Sequence, residues 1–581
     1  MASKGQYQVK VEKNLAMKTR DGIALYADVY RPDAPGKFPV LLLRTPYSKE
    51  DFTQATEHKF FAPRGYVVVL QDMRGRFSSQ GEFYPYLDDG PDSYDAVQWA
   101  ATLPWSSGRV GALGQSYLGL WQYFAAVERP PNLTAMCPVS APVTGYENFF
   151  WRRGVLELAW VTSYFFGMAK NVLERKGLFD SHWPQLTQHM ARPEMMFSPL
   201  KREVYSHLPL RDFGEWCKEG ASYVTDMLAQ PSYGPYWQAS DLRRRLTDIN
   251  VPMLHVGSWY DLFQYDTLTM FTGLRNGAMT EEARRSQHLL MGPWAHLLPY
   301  AAPTSQGTGE IDFGAEALIQ LHEIQLEWFD YHLKGVRNGI GEKPPVRIFV
   351  MGDNRWRDEN EWPLARTRYT SLFLLSEGRA NSLSGDGSLS FEAPAESKHD
   401  CYTYDPNDPV PTRGGNNLTI RYGVYDQTPV EQRSDVLVYT GDVLKSALEL
   451  TGPLTLKLYA ASSAPDTDFT AKLVDVRPDG YAQNIEDGII RARYRDSLRY
   501  PTPIKPGQVY EYKIDLWATS HVFKAGHRIR LEVSSSNFPH FDRNPNTGHA
   551  IGVDAEMRTA EQRIFHDQRY PSHLILPVIP R

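Results

Sequence analysis

Three residue types that together carry acyl transfer, a serine, an aspartate and a histidine, each fall in this sequence just after a short apolar run. Gly114-Gln115-Ser116-Tyr117-Leu118-Gly119 follows Arg109-Val110-Gly111-Ala112-Leu113 and leads into a stretch of helical spacing. A serine on such a strand-to-helix turn projects its hydroxyl, while the next backbone N–H faces any oxyanion that forms there. The spacing is irregular, because the second glycine comes one residue later than in G-x-S-x-G, and a serine between glycines is also an ordinary turn. Trp259-Tyr260-Asp261 and Gly292-Pro293-Trp294-Ala295-His296 lie just beyond the runs Val251–Val256 and His288–Met291, which puts Asp261 and His296 past strand ends. With Ser116 as nucleophile, His296 as base and Asp261 holding the imidazole, the three would make an acyl-enzyme. Taken singly, Asp261 is better read as a helix N-cap and His296 as a surface-loop histidine. His255 and His288 lie inside apolar runs and are expected to be packed or to face solvent.

Such a site also needs donors for the oxyanion, each worth about 2.7 to 4 kcal/mol. The backbone N–H of Tyr117 is one candidate. No His-Gly-Gly-Gly stretch follows the early apolar run, which continues into Arg44-Thr45-Pro46-Tyr47. The Tyr47 hydroxyl is therefore the second candidate, with a packed loop tyrosine as the plain alternative.

The elements that must position these groups are legible. Pro39-Val40-Leu41-Leu42-Leu43 and Tyr66-Val67-Val68-Val69-Leu70 read as strands buried on both faces. Asp92 opens a helical stretch as a capping residue, Arg109–Gly114 reads as a strand, and a helix starts at Tyr117. Apolar runs alternating with helical spacing predict a parallel sheet wrapped by helices. The order serine, aspartate, histidine at strand ends is that of the α/β-hydrolases, and open α/β sheets carry their sites at the carboxyl ends of the strands. Residues 145–240 are rich in aromatics and methionine at helical spacing, without a convincing strand, and read as a helical insertion. The alternation resumes over 241–344 and closes with a helix around Ala315–Leu333. From 345 to 581, short alternating runs such as Leu454–Ala460 and Arg528–Val533 predict an antiparallel sandwich or jelly roll. At 581 residues the chain exceeds the roughly 250 to 300 residues of a single core. The expected class is α/β: an α/β-hydrolase domain split into residues 1–144 and 241–344, a helical cap and a C-terminal all-β domain. No long flexible linker separates them, so the parts are expected to pack together.

Composition narrows the function further. With 42% hydrophobic and 22% charged residues and a net charge of -6, the chain has no polyanion-binding balance, and nucleic acid is not expected as a partner. No stretch reaches the length of a membrane span, and the polar start Met1–Tyr7 lacks the apolar run of a secretory leader. Cys137, Cys217 and Cys401 are odd in number and widely spaced, so neither a disulfide framework nor a cysteine zinc site is indicated. A cytoplasmic protein without metal or organic cofactor, acting on a small-molecule ester or amide, is expected; the oligomeric state is open, a homo-oligomer included. The 33 Tyr, 26 Phe and 14 Trp supply core and pocket walls.

Taken together, Arg44-Thr45-Pro46-Tyr47, Asp72-Met73-Arg74-Gly75 with Ser79-Gln80-Gly81, Gly111–Gly119, Trp259-Tyr260-Asp261, Gly292–His296 and Ser534-Ser535-Ser536-Asn537-Phe538-Pro539 carry a resemblance. Over nearly the whole chain the sequence resembles the bacterial cocaine esterase and X-prolyl dipeptidyl peptidase group of serine hydrolases. The resemblance implies the same three-part architecture, with Ser116, Asp261 and His296 as the triad. It also implies the Tyr47 hydroxyl beside the Tyr117 N–H as oxyanion donors. Asp72 and Arg74 are expected to form a loop-bracing ion pair.

The resemblance bears on the substrate as well. The α-amino-acid ester hydrolases similar to this chain carry acidic residues soon after the triad aspartate, which bind the substrate's ammonium group; here Asp261 is followed by Leu262-Phe263-Gln264. Phe263 and Trp151 match positions that line an aromatic acyl pocket in the esterase branch, and Trp160 is a third candidate; the alternative for all three is cap packing. Aromatics in place of carboxylates favour a neutral, apolar acyl group, with Glu147 the one cap carboxylate that could reverse this. Ester hydrolysis is the expected activity. Its rivals are an amide-cleaving acylase, an α-amino-acid ester hydrolase or an X-Pro dipeptidyl peptidase, and, outside enzymes, a hydrolase fold that has lost catalysis and binds through its jelly roll.

Overall fold

The structure is a computed structural model that describes residues 5–50, 56–296 and 307–580. Its first sheet is built from β1 (Val9–Lys18), β2 (Ala24–Pro32), β3 (Phe38–Thr45), β4 (Val67–Asp72), β5 (Ser106–Gln115), β6 (Leu133–Val139), β7 (Met253–Tyr260), β8 (Gln287–Ala295), β9 (Val346–Val350) and β10 (Arg355–Glu359). They lie in the order β1-β2-β4-β3-β5-β6-β7-β8-β9-β10. From β4 to β9 the neighbours run parallel, and the two ends of the sheet are antiparallel. The near-continuous Val and Leu of β3 and β4 are buried throughout, as strands covered on both faces require. The covering helices include α1 (Asp89–Thr102), α2 (Tyr117–Glu128), α4 (Gln264–Gly277) and α5 (Leu321–Lys334). Between β6 and β7 stands the cap, led by α3 (Leu158–Lys176), with a ribbon at Trp151–Arg152 and Val155–Leu156 as a small exception to its helical character.

Three expectations need correction. β9 and β10 lie beyond residue 344 yet extend the first sheet, with β8 pairing in parallel at Leu289↔Val346. Val346, Ile348 and Val350 are buried there, so the sheet's apolar edge holds this segment and the change to the second domain follows Glu359. Asp92 is not a cap: α1 begins at Asp89, and Asp92 sits one turn in, buried, 2.6 Å from Arg74 and 3.7 Å from Arg44. Arg74 therefore pairs with Asp92 and, at 2.8 Å, with Asp21, and not with Asp72. The Asp72 carboxylate accepts the Lys49 N–H at 2.7 Å and the Ser78 N–H at 3.2 Å, and burial pushes it up to about 6. Asp72 braces the loop after Tyr47, whereas Arg74 ties the start of α1 to the turn between β1 and β2.

The second domain is an antiparallel jelly roll with its own core. Its strand Leu448–Ser462 pairs along its length with Tyr510–Phe523, Ala560–Phe565 and His573–Ile579. A register shift between Pro453 and Thr455, next to Gly452 at φ 140°, lets it bend. Specific contacts join the parts. Arg152 of the cap stacks on Trp517 at 3.9 Å and donates to the Asp487 carbonyl at 2.7 Å. Gln264, at the start of α4, donates to Glu486 at 2.6 Å and to the Ala518 carbonyl at 2.7 Å. Among the described residues, no helix is long and apolar enough to cross a membrane.

Candidate active site

β3, β5, β7 and β8 run parallel within one sheet, so their carboxyl ends lie along the same edge. Tyr47 stands two residues past β3, Ser116 one past β5, Asp261 one past β7 and His296 one past β8. Parallel strands thus bring four residues from distant parts of the chain to the edge where open α/β sheets carry their ligands.

Ser116 has φ 60° and ψ -123°, a conformation that L residues rarely take and that local packing must hold. Its N–H donates to the Val139 carbonyl at 2.9 Å, and it is partly exposed while Gln115 and Tyr117 are buried. The glycines around it have separate reasons. Gly114 lies at φ 142°, and a Cβ there would meet Leu118 Cβ at 2.4 Å. A Cβ at Gly119 would meet Ala141 Cβ at 2.6 Å and the Gly114 and Val139 carbonyl oxygens at 3.2 Å. The helix makes its closest approach to β5 and β6 at residue 119, which is why the second glycine comes one residue late.

Asp261 and His296 are both buried. Asp261 Oδ1 lies 3.0 Å from His296 Nδ1 and also accepts the Phe263 N–H at 2.7 Å. α4 starts at Gln264 after Phe263, so Asp261 turns the chain ahead of the helix and is not its N-cap. The Gln115 side chain donates to the His296 carbonyl, which ties the serine turn to the histidine loop.

Tyr47 is buried, its hydroxyl 3.2 Å from that of Tyr164. Burial pushes the phenol up to about 12, so it stays protonated and able to donate. Its loop is fixed from below: the Tyr47 N–H donates to Thr45 Oγ1 at 3.0 Å, and Arg76 donates to the Pro46 carbonyl at 2.8 Å. Tyr117 opens α2, where backbone N–H groups have no intrahelical acceptor and the helix dipole favours negative charge. Its own hydroxyl donates to Asp89 at 2.8 Å.

Aromatic rings close the other side. Phe263 lies edge-on to the His296 ring at 5.3 Å, stacks on Phe149 at 6.0 Å and meets Trp160 at 6.2 Å. Trp160 lies 4.6 Å from Tyr164. Trp151 packs instead on Phe150, whose other partners are Phe165 and Trp237, so the structure groups it with the cap interior. Phe149 and Tyr164 went unread in the sequence; the i,i+4 spacing of Trp160 and Tyr164 was the available signal. Glu147 Oε1 lies 3.6 Å from Arg153 Nε. Asp266 is fully buried in α4, and burial holds its carboxyl well above the usual range. His255 is a core residue between Tyr123 at 2.8 Å and Gln287 at 3.0 Å, lowered by burial to about 4. His288 packs on Trp328.

Residues 21–298, which include Tyr47, Ser116, Asp261 and His296, match the X-Pro dipeptidyl-peptidase (S15) family, and residues 338–575 match the X-Pro dipeptidyl-peptidase C-terminal non-catalytic domain. A cocaine esterase from Rhodococcus sp. (strain MB1 Bresler) is 39% identical over 99% of this chain and 100% of its own length. The chain belongs to this family of serine hydrolases. Similar solved structures include an aminopeptidase from a marine sediment archaeon, Thaumarchaeota archaeon, at TM-score 0.83 and 26% identity over 99% of this chain and 97% of that one. An α-amino acid ester hydrolase has the same fold, with TM-score 0.81 and 22% identity over 100% of this chain and 98% of that one.

The jelly roll holds a hydrogen-bonded Ser-His-Asp set of its own. His566 lies between Ser397 Oγ at 2.8 Å and Asp400 at 2.8 Å. Asp400 also accepts from Ser376 at 2.7 Å, Tyr439 at 2.7 Å and the Ala380 N–H at 2.9 Å. That carboxylate is shared among several strands as a latch, whereas Asp261 serves one histidine. Among the described residues, His549, Asp554 and Glu556 bring potential metal-ligating atoms together. They are engaged within the protein, His549 with Asp554 at 2.9 Å and Glu556 with Arg558 at 2.7 Å.

Proposed function

We propose that this hydrolase cleaves carboxylic esters of neutral, apolar acids through an acyl-enzyme on Ser116. His296 is the base, Asp261 the anion that orients it, and the Tyr47 hydroxyl and Tyr117 N–H stabilise the oxyanion. The observation that carries the reading is the Phe263 ring edge-on to His296, an apolar wall beside the base. An ammonium group there would be buried without a counter-ion, at high cost. Glu147 is occupied by Arg153, and burial disfavours the charged form of Asp266, so neither is placed as a ready counter-ion. Trp160 and Phe263 then line the acyl side, joined by Phe149.

Asp261 engages His296 Nδ1, which leaves Nε2 to take the Ser116 proton as the hydroxyl attacks the carbonyl carbon. The carbonyl oxygen becomes the oxyanion. Collapse breaks the ester C–O bond, and the alcohol leaves with the proton carried by His296. Water deprotonated by His296 then splits the acyl-enzyme and restores the serine. The three free cysteines support a cytoplasmic setting for this chemistry.

One oxygen of Asp261 takes both the Phe263 N–H and the imidazole. An asparagine can keep its amide oxygen at that point and preserve the histidine tautomer, so what it removes is the charge. Asp261→Asn is therefore expected to lower kcat/KM by about 10- to 100-fold, the worth of a charged hydrogen bond of roughly 1.5 to 3 kcal/mol. A loss near 10⁴, as when an amide imposes the wrong tautomer, would contradict this geometry.

The substrate class is tested with p-nitrophenyl phenylacetate and the same ester of phenylglycine, which differ chiefly by an ammonium group. The neutral ester is expected to be favoured by about tenfold or more in kcat/KM, one tenfold step being about 1.4 kcal/mol. Preference for the phenylglycine ester, or faster turnover of an X-Pro anilide, would overturn the assignment.

A further inference from the structure

We propose that the cleft beside Tyr47, between α3 and residues 193–196, receives the alcohol part of the ester and selects bulky, uncharged, apolar alcohols. The inference rests on the ester-hydrolase reading and adds its missing half, since a carbonyl held at Ser116 carries two substituents. The cleft has a volume of about 310 Å³ and counts Tyr47 among its walls. That volume is at the lower end for small-molecule sites. Tyr47 follows β3 and Ser116 follows β5, its parallel neighbour, so the cleft opens beside the strand end that carries the attacking oxygen.

Tyr164 separates this cleft from the acyl side. Its ring lies 4.6 Å from Trp160 and 6.4 Å from Tyr47, and Phe197 completes the partition at 5.3 Å from Tyr164 and 5.7 Å from Tyr47. Beyond the partition the lining mixes charged groups with an adaptable apolar wall. Met195 and Met196 are 44% and 47% exposed, and Trp183 lines the same cleft. Exposed methionines beside an aromatic suit a ligand surface that must accept varied apolar shapes. The charges that line it, Arg76 and Lys170 against Glu174 and Glu194, balance in number and give no net preference for an ion. The geometry is also held in place. A Cβ at Gly167 would fall 1.8 Å from the Met196 carbonyl oxygen, so the 193–196 chain rests directly on α3. This explains a glycine in the middle of a 19-residue helix, where it costs stability. Arg76 ties the two sides by donating to the Pro46 and Met168 carbonyls, each at 2.8 Å.

The test holds the acid constant and varies the alcohol, using ethyl and cyclohexylmethyl phenylacetate, whose alcohols are similar in acidity. The wild-type protein is expected to favour the cyclohexylmethyl ester by about tenfold or more in kcat/KM. Met195→Asp and, independently, Trp183→Ala should each cut that alcohol ratio by about fivefold or more. The ratio of ethyl phenylacetate to ethyl acetate, which reports the acyl side, should shift with Phe263→Ala and hold in the two cleft variants. An alcohol ratio unmoved in both cleft variants, or a shift that falls on the acid ratio, overturns the inference. Ser116→Ala separates this from failure of the underlying reading: turnover that survives in Ser116→Ala removes the esterase assignment, whereas Ser116-dependent turnover with an unmoved alcohol ratio removes only the cleft.

Discussion

Ser116→Ala is expected to lower ester turnover by about 10⁶-fold and to end stoichiometric labelling by a fluorophosphonate, because removing the nucleophile of a Ser-His-Asp unit costs nearly as much as removing the whole unit. A remnant of about 10³- to 10⁴-fold over the uncatalysed rate should persist, since Tyr47, the Tyr117 N–H and the binding surfaces stay in place. The variant should also fold. Alanine pays the same backbone cost as serine at φ 60°, and Tyr47 keeps its hydrogen bond to Tyr164. Denaturant midpoints of the two proteins should therefore nearly coincide, which makes the loss of activity chemical. Full labelling of the variant would move the nucleophile elsewhere. Peptide mapping of the adduct would then begin at Ser397, the serine of the jelly-roll latch.

The sheet and the positions of Ser116, Asp261 and His296 were legible because a parallel strand buried on both faces leaves an unbroken apolar run, and the run's end marks the sheet's functional edge. What the sequence hid has physical causes. β1 is an edge strand with most of its side chains exposed, so Val9-Lys10-Val11-Glu12-Lys13 carries little apolar signal. β9 and β10 look like any short alternating strands, and only the partner at Leu289 assigns them to the first sheet. The partners of Arg74 lie 53 and 18 residues away, and no local pattern announces them. The late second glycine near Ser116 answers to Ala141 and the Gly114 carbonyl, contacts that no local pattern shows. Aromatics in the cap were the hardest to sort: Trp151 and Trp160 read alike, yet one faces Phe150 and the other Phe263.

Tyr47→Phe should reduce kcat by about 10²- to 10³-fold with KM nearly unchanged, matching the roughly 2.7 to 4 kcal/mol carried by one oxyanion donor. The split follows from the timing of the interaction. The hydroxyl meets substrate oxygen strongly only when that oxygen becomes an anion, so its loss raises the barrier without weakening ground-state binding. Packing should be unaffected, because the ring keeps its neighbours Tyr164 and Phe197. A tyrosine acting as a base would make activity rise with its own ionisation. Here burial holds the phenol near 12, so the pH profile of the remaining activity should keep its shape when the hydroxyl is gone. Tyr164→Phe removes only the partner 3.2 Å away and should cost less, about fivefold, because the neutral hydrogen bond that positions the donor is worth roughly 1 kcal/mol. If Tyr164→Phe cost as much as Tyr47→Phe, the oxyanion donor would have to be shared between the two hydroxyls. If neither changed kcat, the Tyr117 N–H would be acting without Tyr47, and the loop after β3 would have a purely structural role.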